Sequence, residues 1–374
     1  MKLITRSVAA LAVTALSVGG ATAIADSDNQ SGRQAVDTKA DYTPFDEFAP
    51  LPTSSTCPGE GSGRQAQPFV IPSGYQQQVV SEESDQLADS PPGPPGTEDL
   101  WDMITQNEFG KQAGRFLYRT HEVGPAASGA APRDPGGAAV TVTDLRTGVT
   151  RTLAERNDWE RFDGIVWTPW GTILAAEEVI VASAPDPQVP QAVGGLVYEL
   201  FVDEDEPWKL DPSREQITPG DGTTDTDQDG IRARPALGAK SHEGLRFDKR
   251  GFFYGIAESR GQTVADQSGG VFRFVPDRKG DLSSGELSAL RTDDRKYGEG
   301  EWVPLDRDEV QINADAAAKA ADVNLYQRPE DVETGESTGK DRLNGGWTLY
   351  VAITEGAENG VMAVDLRSRS NPFS

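Results

Sequence analysis

The sequence has almost no cysteine and almost no histidine. Cys57 is the only thiol among 374 residues, and His121 and His242 are the only imidazoles. One cysteine cannot form an intrachain disulfide, and two distant histidines do not supply a zinc site of the usual spacing. Each histidine directly precedes a glutamate, so we expect the rings to orient those acids rather than to bind metal. Any metal site in the body of the protein must therefore use mainly oxygen ligands.

Long apolar segments and net positive charge are also missing. Beyond the N-terminus no run approaches the roughly 20 apolar residues that span a bilayer, so no transmembrane segment is expected. The net charge is -25, which disfavours nucleic acid and anionic lipid as partners. Divalent cations are natural counterions for so many carboxylates, although most of these acids are expected to form a solvated surface. The sequence contains no Gly-rich P-loop that would cradle a nucleotide phosphate.

The N-terminus predicts export. Lys2 and Arg6 precede an apolar run over residues 7–18, and small residues follow up to Ala25. This pattern is typical of a secretory signal peptide of the Sec type over residues 1–25, so we expect a secreted protein, extracellular or periplasmic. Residues 26–63 are rich in Ser, Asp, Thr and Pro and predict a flexible leader. Residues 64–374 are expected to form the folded domain.

The folded domain is predicted to be all-β. Short apolar strands alternate with turn residues, as in the hairpin formed by 140–145 and 149–153, and helical periodicity is restricted to residues 314–323. Residues 163–178 and 243–258 share one layout: an acid and a glycine, an apolar strand, a turn at glycine, and a second strand ending in glutamate. Partial copies occur at 116–122 and from 328 to 355. Recurring β units of this kind indicate a β-propeller.

The repeated units place acids at matching strand ends. Those at the outgoing strands are Glu122, Glu178, Glu258 and Glu355, and those at the incoming strands are Asp163, Glu243 and Glu330. In a propeller these positions converge on the central channel, where a cluster of like charges needs cations. The pattern therefore predicts a multi-metal site with oxygen ligands. The alternative is that the acids only solvate turns.

A second metal site is predicted in a loop. Asp225, Asp227, Asp229 and Gly230 reproduce the first half of a calcium-binding loop, in which alternate acids surround one ion. Ala236 stands where the usual twelfth-position glutamate would be. We expect a structural calcium site here, with an ordinary acidic turn as the alternative.

Four segments, taken together, resemble a known family. They are residues 168–172 leading to Glu177 and Glu178, residues 241–243, residues 270–276 followed by 280–283, and residues 328–330. In this order they are similar to segments of the PhoX-type alkaline phosphatases, which are secreted calcium- and iron-dependent enzymes. The likeness extends from about Pro68 to the end of the chain.

The resemblance implies a six-bladed propeller that holds ferric and calcium ions and hydrolyses small phosphorylated substrates. The oligomeric state is not readable from the sequence, and a monomer is expected. By motif, Glu243 and Glu330 match iron-binding glutamates, and Glu177 and Glu178 match acids of the metal cluster. Arg328 matches an arginine that contacts phosphate, where a forked guanidinium suits the phosphoryl oxygens.

Two departures from the family pattern keep alternatives open. The family's iron-binding cysteine is replaced by Ala176, so that either oxygen-bound calcium serves the site or the catalytic centre is lost. The strand predicted at 361–366 lies close to Ser374, and a closing blade is expected to be missing. The leading hypothesis is a secreted metal-dependent phosphatase or phosphodiesterase. Its alternatives are a non-enzymatic calcium-binding propeller and another metal-dependent propeller hydrolase, lactonase-like or phytase-like.

Overall fold

The computed structural model describes residues 79–81, 88, 100–124, 138–259, 269–293, 298–334, 347–356 and 359–367. The predicted signal peptide and the leader with Cys57 lie outside these residues. Among the described helices, none combines the length and the apolar character that a membrane crossing requires.

The described strands form four antiparallel sheets, in each of which the strands follow one another in chain order. The first sheet contains β1 (Trp101–Gln106), β2 (Phe116–His121), β3 (Ala139–Asp144) and β4 (Val149–Glu155). The second contains β5 (Phe162–Trp167), β6 (Ile173–Glu177), β7 (Val197–Leu200) and β8 (Ile231–Ala233). The third contains β9 (His242–Phe247), β10 (Phe253–Ala257), β11 (Gly269–Pro276), β12 (Gly285–Thr292) and β13 (Gly300–Pro304). A short strand, β14 (Leu325–Tyr326), pairs with the start of β11. The fourth contains β15 (Pro329–Thr334), β16 (Thr348–Ile353) and β17 (Gly360–Asp365).

The first strands of successive sheets pack against one another around a common centre. Strand β1 contacts β5, β5 contacts β9, and β9 contacts β15. Each sheet therefore runs outward from the same axis, which is the arrangement of propeller blades. The prediction of an all-β propeller is confirmed, whereas the number of blades stays a prediction.

The repeat seen in the sequence corresponds to equivalent hairpins. Strands β5 and β6 turn at Gly171, and β9 and β10 turn at Gly251, with φ angles of 82° and 86° that residues with a Cβ rarely adopt. The predicted hairpin of β3 and β4 is also present, and the Oδ1 atom of Asp144 accepts the Arg146 N–H at 2.9 Å inside its turn. Local turn chemistry thus fixes the strand pairs that the sequence indicated.

Apolar side chains fill the spaces between neighbouring sheets. Every residue of β2 and β5 is buried. Trp159, Phe162 and Tyr198 pack together between the first and second sheets, with ring centroids 4.7–5.8 Å apart. Burying one such ring contributes roughly 1.5–3 kcal/mol, so these layers hold the sheets in fixed positions.

One α-helix, α1 (Arg307–Ala320), covers the third sheet within the described part of the chain. The carboxylate of Asp306 caps it by accepting the N–H groups of the first turn. The helix is interrupted at Asn313, whose φ of -160° is extended, and the Ala314 N–H donates instead to the Ala239 carbonyl at 2.8 Å. The sequence predicted only the second half, because the first half is too polar to show a helical period.

Candidate metal centre

Seven carboxylates gather at the inner ends of the four sheets. They are Asp102 in β1, Glu122 after β2, Asp163 in β5, Glu178 after β6, Glu243 in β9, Glu258 after β10 and Glu330 in β15. We call these residues the central cluster. Four pairs of carboxyl groups lie close enough to share a proton: Asp102 with Asp163, Asp163 with Glu243, Glu122 with Glu178, and Glu178 with Glu258. The structure therefore brings together six of the acids that the sequence predicted, and adds Asp102.

Three members of the central cluster have the spacing of metal ligands. One carboxylate oxygen from each of Glu178, Glu243 and Glu258 lies within 4.8 Å of the other two. Calcium binds oxygens at 2.3–2.6 Å, so two ligands on opposite sides of one ion are roughly 5 Å apart. Buried oxygens of Glu243 and Asp163 have no hydrogen-bond partner among the described residues, which is costly unless another group satisfies them. The donor set fits a hard cation.

Burial strongly perturbs the protonation of the cluster. Removal from water, followed by repulsion from neighbouring acids, raises the pKa of Asp163 to about 9, that of Glu178 to about 10 and that of Glu243 to about 12. Two carboxylates can share a hydrogen bond only if one of them carries a proton. Without a cation the cluster is therefore held together by retained protons, and a cation would replace them.

In three of the sheets, a residue with a left-handed backbone conformation stands two residues before an acid of the central cluster. Leu100, Arg161 and Arg328 have left-handed φ angles of 55°, 43° and 55°, and each stands two residues before an acid of the central cluster. Their carbonyls accept the N–H of the residue that follows the second strand, Glu122 and Glu178 at 2.8 Å and Thr354 at 3.0 Å. In the third sheet the Ser241 carbonyl accepts the Glu258 N–H in the same way, at 2.9 Å. One backbone hydrogen bond thus fixes the two inner strand ends of each sheet, which carry an incoming and an outgoing acid in the first three sheets.

The fourth sheet departs from the sequence repeat. The repeat placed Glu355 at the end of the outgoing strand, but Thr354 occupies the equivalent position. Its hydroxyl donates to the Oε1 atom of Glu330 at 2.9 Å. The fourth sheet therefore contributes one acid to the central cluster where the second and third each contribute two.

Arg328 lies beside the central cluster. Its Nε donates to Glu258, and its Nη1 lies 2.7 Å from the Oε1 atom of Glu330. The side chain is 31% exposed, so part of the guanidinium still faces solvent. The two carboxylates hold the guanidinium at the edge of the cluster, where an anion bound to a metal ion could be contacted.

Asp102 was not among the acids that the sequence predicted, although its position before Glu122 repeats that of Asp163 before Glu178. Asp102 follows the left-handed Leu100 and precedes Glu122, as Asp163 precedes Glu178 in the next sheet. The strand that carries Asp102 alternates only between half-buried and exposed residues. Because its apolar pattern is weak, β1 was not recognised as the incoming strand of the first sheet.

Glu177 lies outside the central cluster, although the resemblance implies that both glutamates of the pair belong to the metal site. Its Oε1 accepts the Glu160 N–H at 2.8 Å and its Oε2 accepts the Leu196 N–H at 2.9 Å. The carboxylate is buried, and burial raises its pKa to about 8. Adjacent strand residues point to opposite faces, so only one member of a Glu-Glu pair can face the centre.

The predicted calcium loop contains a guanidinium. Arg232 is 1% exposed, and its nitrogens lie 3.0 Å from Asp221, 3.4 Å from Asp225 and 3.6 Å from Glu215. Asp225 is buried, whereas Asp227 and Asp229 are exposed. The cation that the structure places next to Asp225 is an arginine, and a calcium ion bound by the three loop aspartates stays a prediction.

The two histidines are bound inside the sheets. Nε2 of His121 is 2.8 Å from the Thr141 hydroxyl, and Nε2 of His242 is 2.9 Å from the Gly238 carbonyl. Both rings are buried. These contacts fix the strands that carry the neighbouring acids rather than the acids themselves.

Comparison with known proteins identifies the family. The family model described as alkaline phosphatase PhoX matches residues 166–372. A similar solved structure is Pseudomonas fluorescens PhoX in complex with vanadate, a transition state analogue, with 17% identity and a TM-score of 0.46. That match covers 77% of this chain and 66% of the other, so the present chain spans less than two thirds of it. None of the curated proteins compared is a significant match. Because the family model matches more than half of its residues, this chain belongs to the PhoX alkaline phosphatase family.

Proposed function

We propose that this protein is a metal-dependent phosphatase that hydrolyses small phosphate monoesters at the central cluster. The observation that carries the proposal is the group formed by Glu178, Glu243 and Glu258, whose oxygens lie within 4.8 Å of one another beside the partly exposed Arg328. Ions bound there would polarise a phosphoryl oxygen. Family membership supports the same reaction.

In this proposal, one set of side chains binds the metal ions and another binds the substrate. Glu178, Glu243 and Glu258 would hold the ions, with Asp102 and Asp163 completing the oxygen set. Arg328 would donate N–H groups to the phosphate, and its contacts with Glu258 and Glu330 keep the guanidinium in place before substrate arrives. The phosphate would therefore bind between the ions and the guanidinium.

Calcium is the proposed metal. All the donors in the central cluster are carboxylate oxygens, which suit calcium. Ala176 is fully buried among Leu174, Val197 and other apolar side chains and offers no thiolate. Iron is supported only by the resemblance, so the experiment below supplies both metals.

The signal sequence supports secretion, in which case the enzyme would act outside the cytoplasm as a monomer on small phosphorylated substrates. A second candidate function is a non-enzymatic propeller that binds calcium. It is favoured by one observation, the replacement of the family's cysteine by Ala176.

The test is hydrolysis of phenyl phosphate by the purified full chain with calcium, with iron, and after chelation. Glu243→Gln removes a central ligand, and Glu301→Gln is the matched control because Glu301 pairs with Arg291 in the outermost strand of the third sheet. We expect activity that is lost on chelation and restored by metal, and a metal content that falls only in Glu243→Gln. A folded, metal-loaded wild type without activity would favour the binding propeller. Unchanged metal content in Glu243→Gln would remove the central cluster as the site.

A further inference from the structure

Two arginines occupy equivalent positions around the central cluster. Arg161 precedes β5 and Arg328 precedes β15, both in the left-handed conformation. A residue with a Cβ adopts this conformation only where the surrounding structure imposes it. The carbonyl of each arginine accepts an N–H from the residue that follows the outgoing strand of its sheet. Because this arrangement is the same in both sheets, the two side chains leave the backbone at corresponding places.

The surroundings of the two guanidiniums differ. Arg328 is held by Glu258 and Glu330. Arg161 is exposed, and in the described part of the chain its guanidinium forms no salt bridge. Its backbone lies at the central cluster, because its carbonyl accepts the Glu178 N–H at 2.8 Å and Asp163 follows two residues later. Arg161 therefore stands at the edge of the cluster with its hydrogen-bond donors available.

The third left-handed position carries no charge. Leu100 is 51% exposed and lies at the corresponding place before β1. In the third sheet the corresponding carbonyl belongs to Ser241, which is buried. Positive charge at these four equivalent places is thus confined to the second and fourth sheets.

We infer that Arg161 binds a second anionic group of the substrate. The inference rests on the proposed function and narrows the substrate class to phosphate esters whose alcohol part carries a further phosphate or a carboxylate. Arg328 would contact the phosphate that reacts, and Arg161 would donate a forked pair of N–H groups to the second anion. An overall charge of -25 otherwise repels such a substrate, so a local guanidinium is needed to select it.

The experiment compares three substrates: phenyl phosphate, 4-carboxyphenyl phosphate and 1,4-phenylene bisphosphate. We expect the wild type to prefer the two that carry a second anion. In Arg161→Ala the ratio of kcat/KM for either of them to that for phenyl phosphate should fall about tenfold, the loss expected for one charge-assisted contact. Arg161→Lys should retain part of the preference. Arg161→Gly suits the left-handed backbone and guards against misfolding. The matched control is Arg146→Ala, an exposed arginine in the turn between β3 and β4, which should change none of the ratios.

The outcomes separate the inference from the proposed function. An equal loss on all three substrates, or no change in the ratios, would overturn the role of Arg161. Preference for only one of the two esters that carry a second anionic group would tell a carboxylate from a phosphate as that group. If the wild type hydrolyses none of the esters, the proposed function fails, and calorimetry with pyrophosphate and inorganic phosphate on the metal-loaded protein replaces the assay. Selective weakening of pyrophosphate by Arg161→Ala would then support the inference, and equal weakening of both would refute it.

Discussion

Replacing Arg232 by methionine tests how the acidic loop is neutralised. The guanidinium is 1% exposed and lies within 3.6 Å of three buried carboxylates, those of Asp221, Asp225 and Glu215. Methionine has a similar length but no charge, so the three acids would remain buried without a cation. Breaking a buried ion pair in this way costs about 3–5 kcal/mol. For a domain of this size the melting temperature should fall by roughly 6–20 °C.

The assay is urea unfolding at neutral pH in the presence of a chelator, followed by circular dichroism. Arg291→Met is the matched control, because Arg291 pairs with Glu301 at 2.6 Å but both side chains are about half exposed. The control should lose at most about 1 kcal/mol. A loss below about 1 kcal/mol in Arg232→Met would refute the view that this guanidinium neutralises the loop.

Calcium added to the same variant gives a second readout. Once the guanidinium is gone, the space between Asp225 and Glu215 has the charge and the oxygen atoms that calcium prefers. Arg232→Met should therefore gain more stability from calcium than the wild type does. An equal gain in the two proteins would mean that calcium already binds the loop beside the arginine.

Three further predictions concern buried carboxylates. Burial lowers the pKa of Lys240 to about 7, and Asp315 opposes this fall, so Asp315→Asn should lower the Lys240 pKa further. NMR titration of Lys240 would detect the change, and an unchanged pKa would contradict the interaction. Glu177→Gln should lower the free energy of unfolding by about 1–3 kcal/mol and leave the metal content unchanged, because the carboxylate accepts two backbone N–H groups. A lower metal content would show that Glu177 does bind metal. In the metal-free protein the pKa values of Asp163 and Glu178 are raised to about 9 and about 10, so the stability they contribute is full below about pH 4 and is lost as the pH rises towards 9–10. Metal binding should accordingly release protons, and the affinity for metal should increase as the pH rises. Calorimetry in two buffers of different ionisation enthalpy would detect the release, and binding without proton release would contradict the prediction.

The sequence predicted the acids that lie in well-formed repeats. Glu178 and Glu258 each end a short strand that follows a glycine turn, and Asp163 and Glu243 each open an apolar strand. These local patterns correspond directly to the hairpins of the second and third sheets. Convergence on one centre then follows from the propeller arrangement.

The features that the sequence did not indicate depend on neighbours distant in sequence. A run of acids at alternate positions indicates a calcium loop, but nothing local shows that Arg232 is inserted among Asp225 and its neighbours. A pair of adjacent glutamates does not reveal that the backbone N–H groups of Glu160 and Leu196 satisfy Glu177. The helix over 307–320 is stabilised by contacts with the third sheet and with Ala239, which its own polar first half does not predict.

The origin of the central cluster in four separate sheets has a consequence for cooperativity. Each sheet has its own hydrogen-bonded hairpins, so in the absence of metal one blade could open without the others and exchange its amide protons first. An ion coordinated by Glu178, Glu243 and Glu258 would be lost whenever the second or third sheet opened. Bound metal would therefore join these blades into one unfolding unit, with amide hydrogen exchange slowed in both sheets by the same factor.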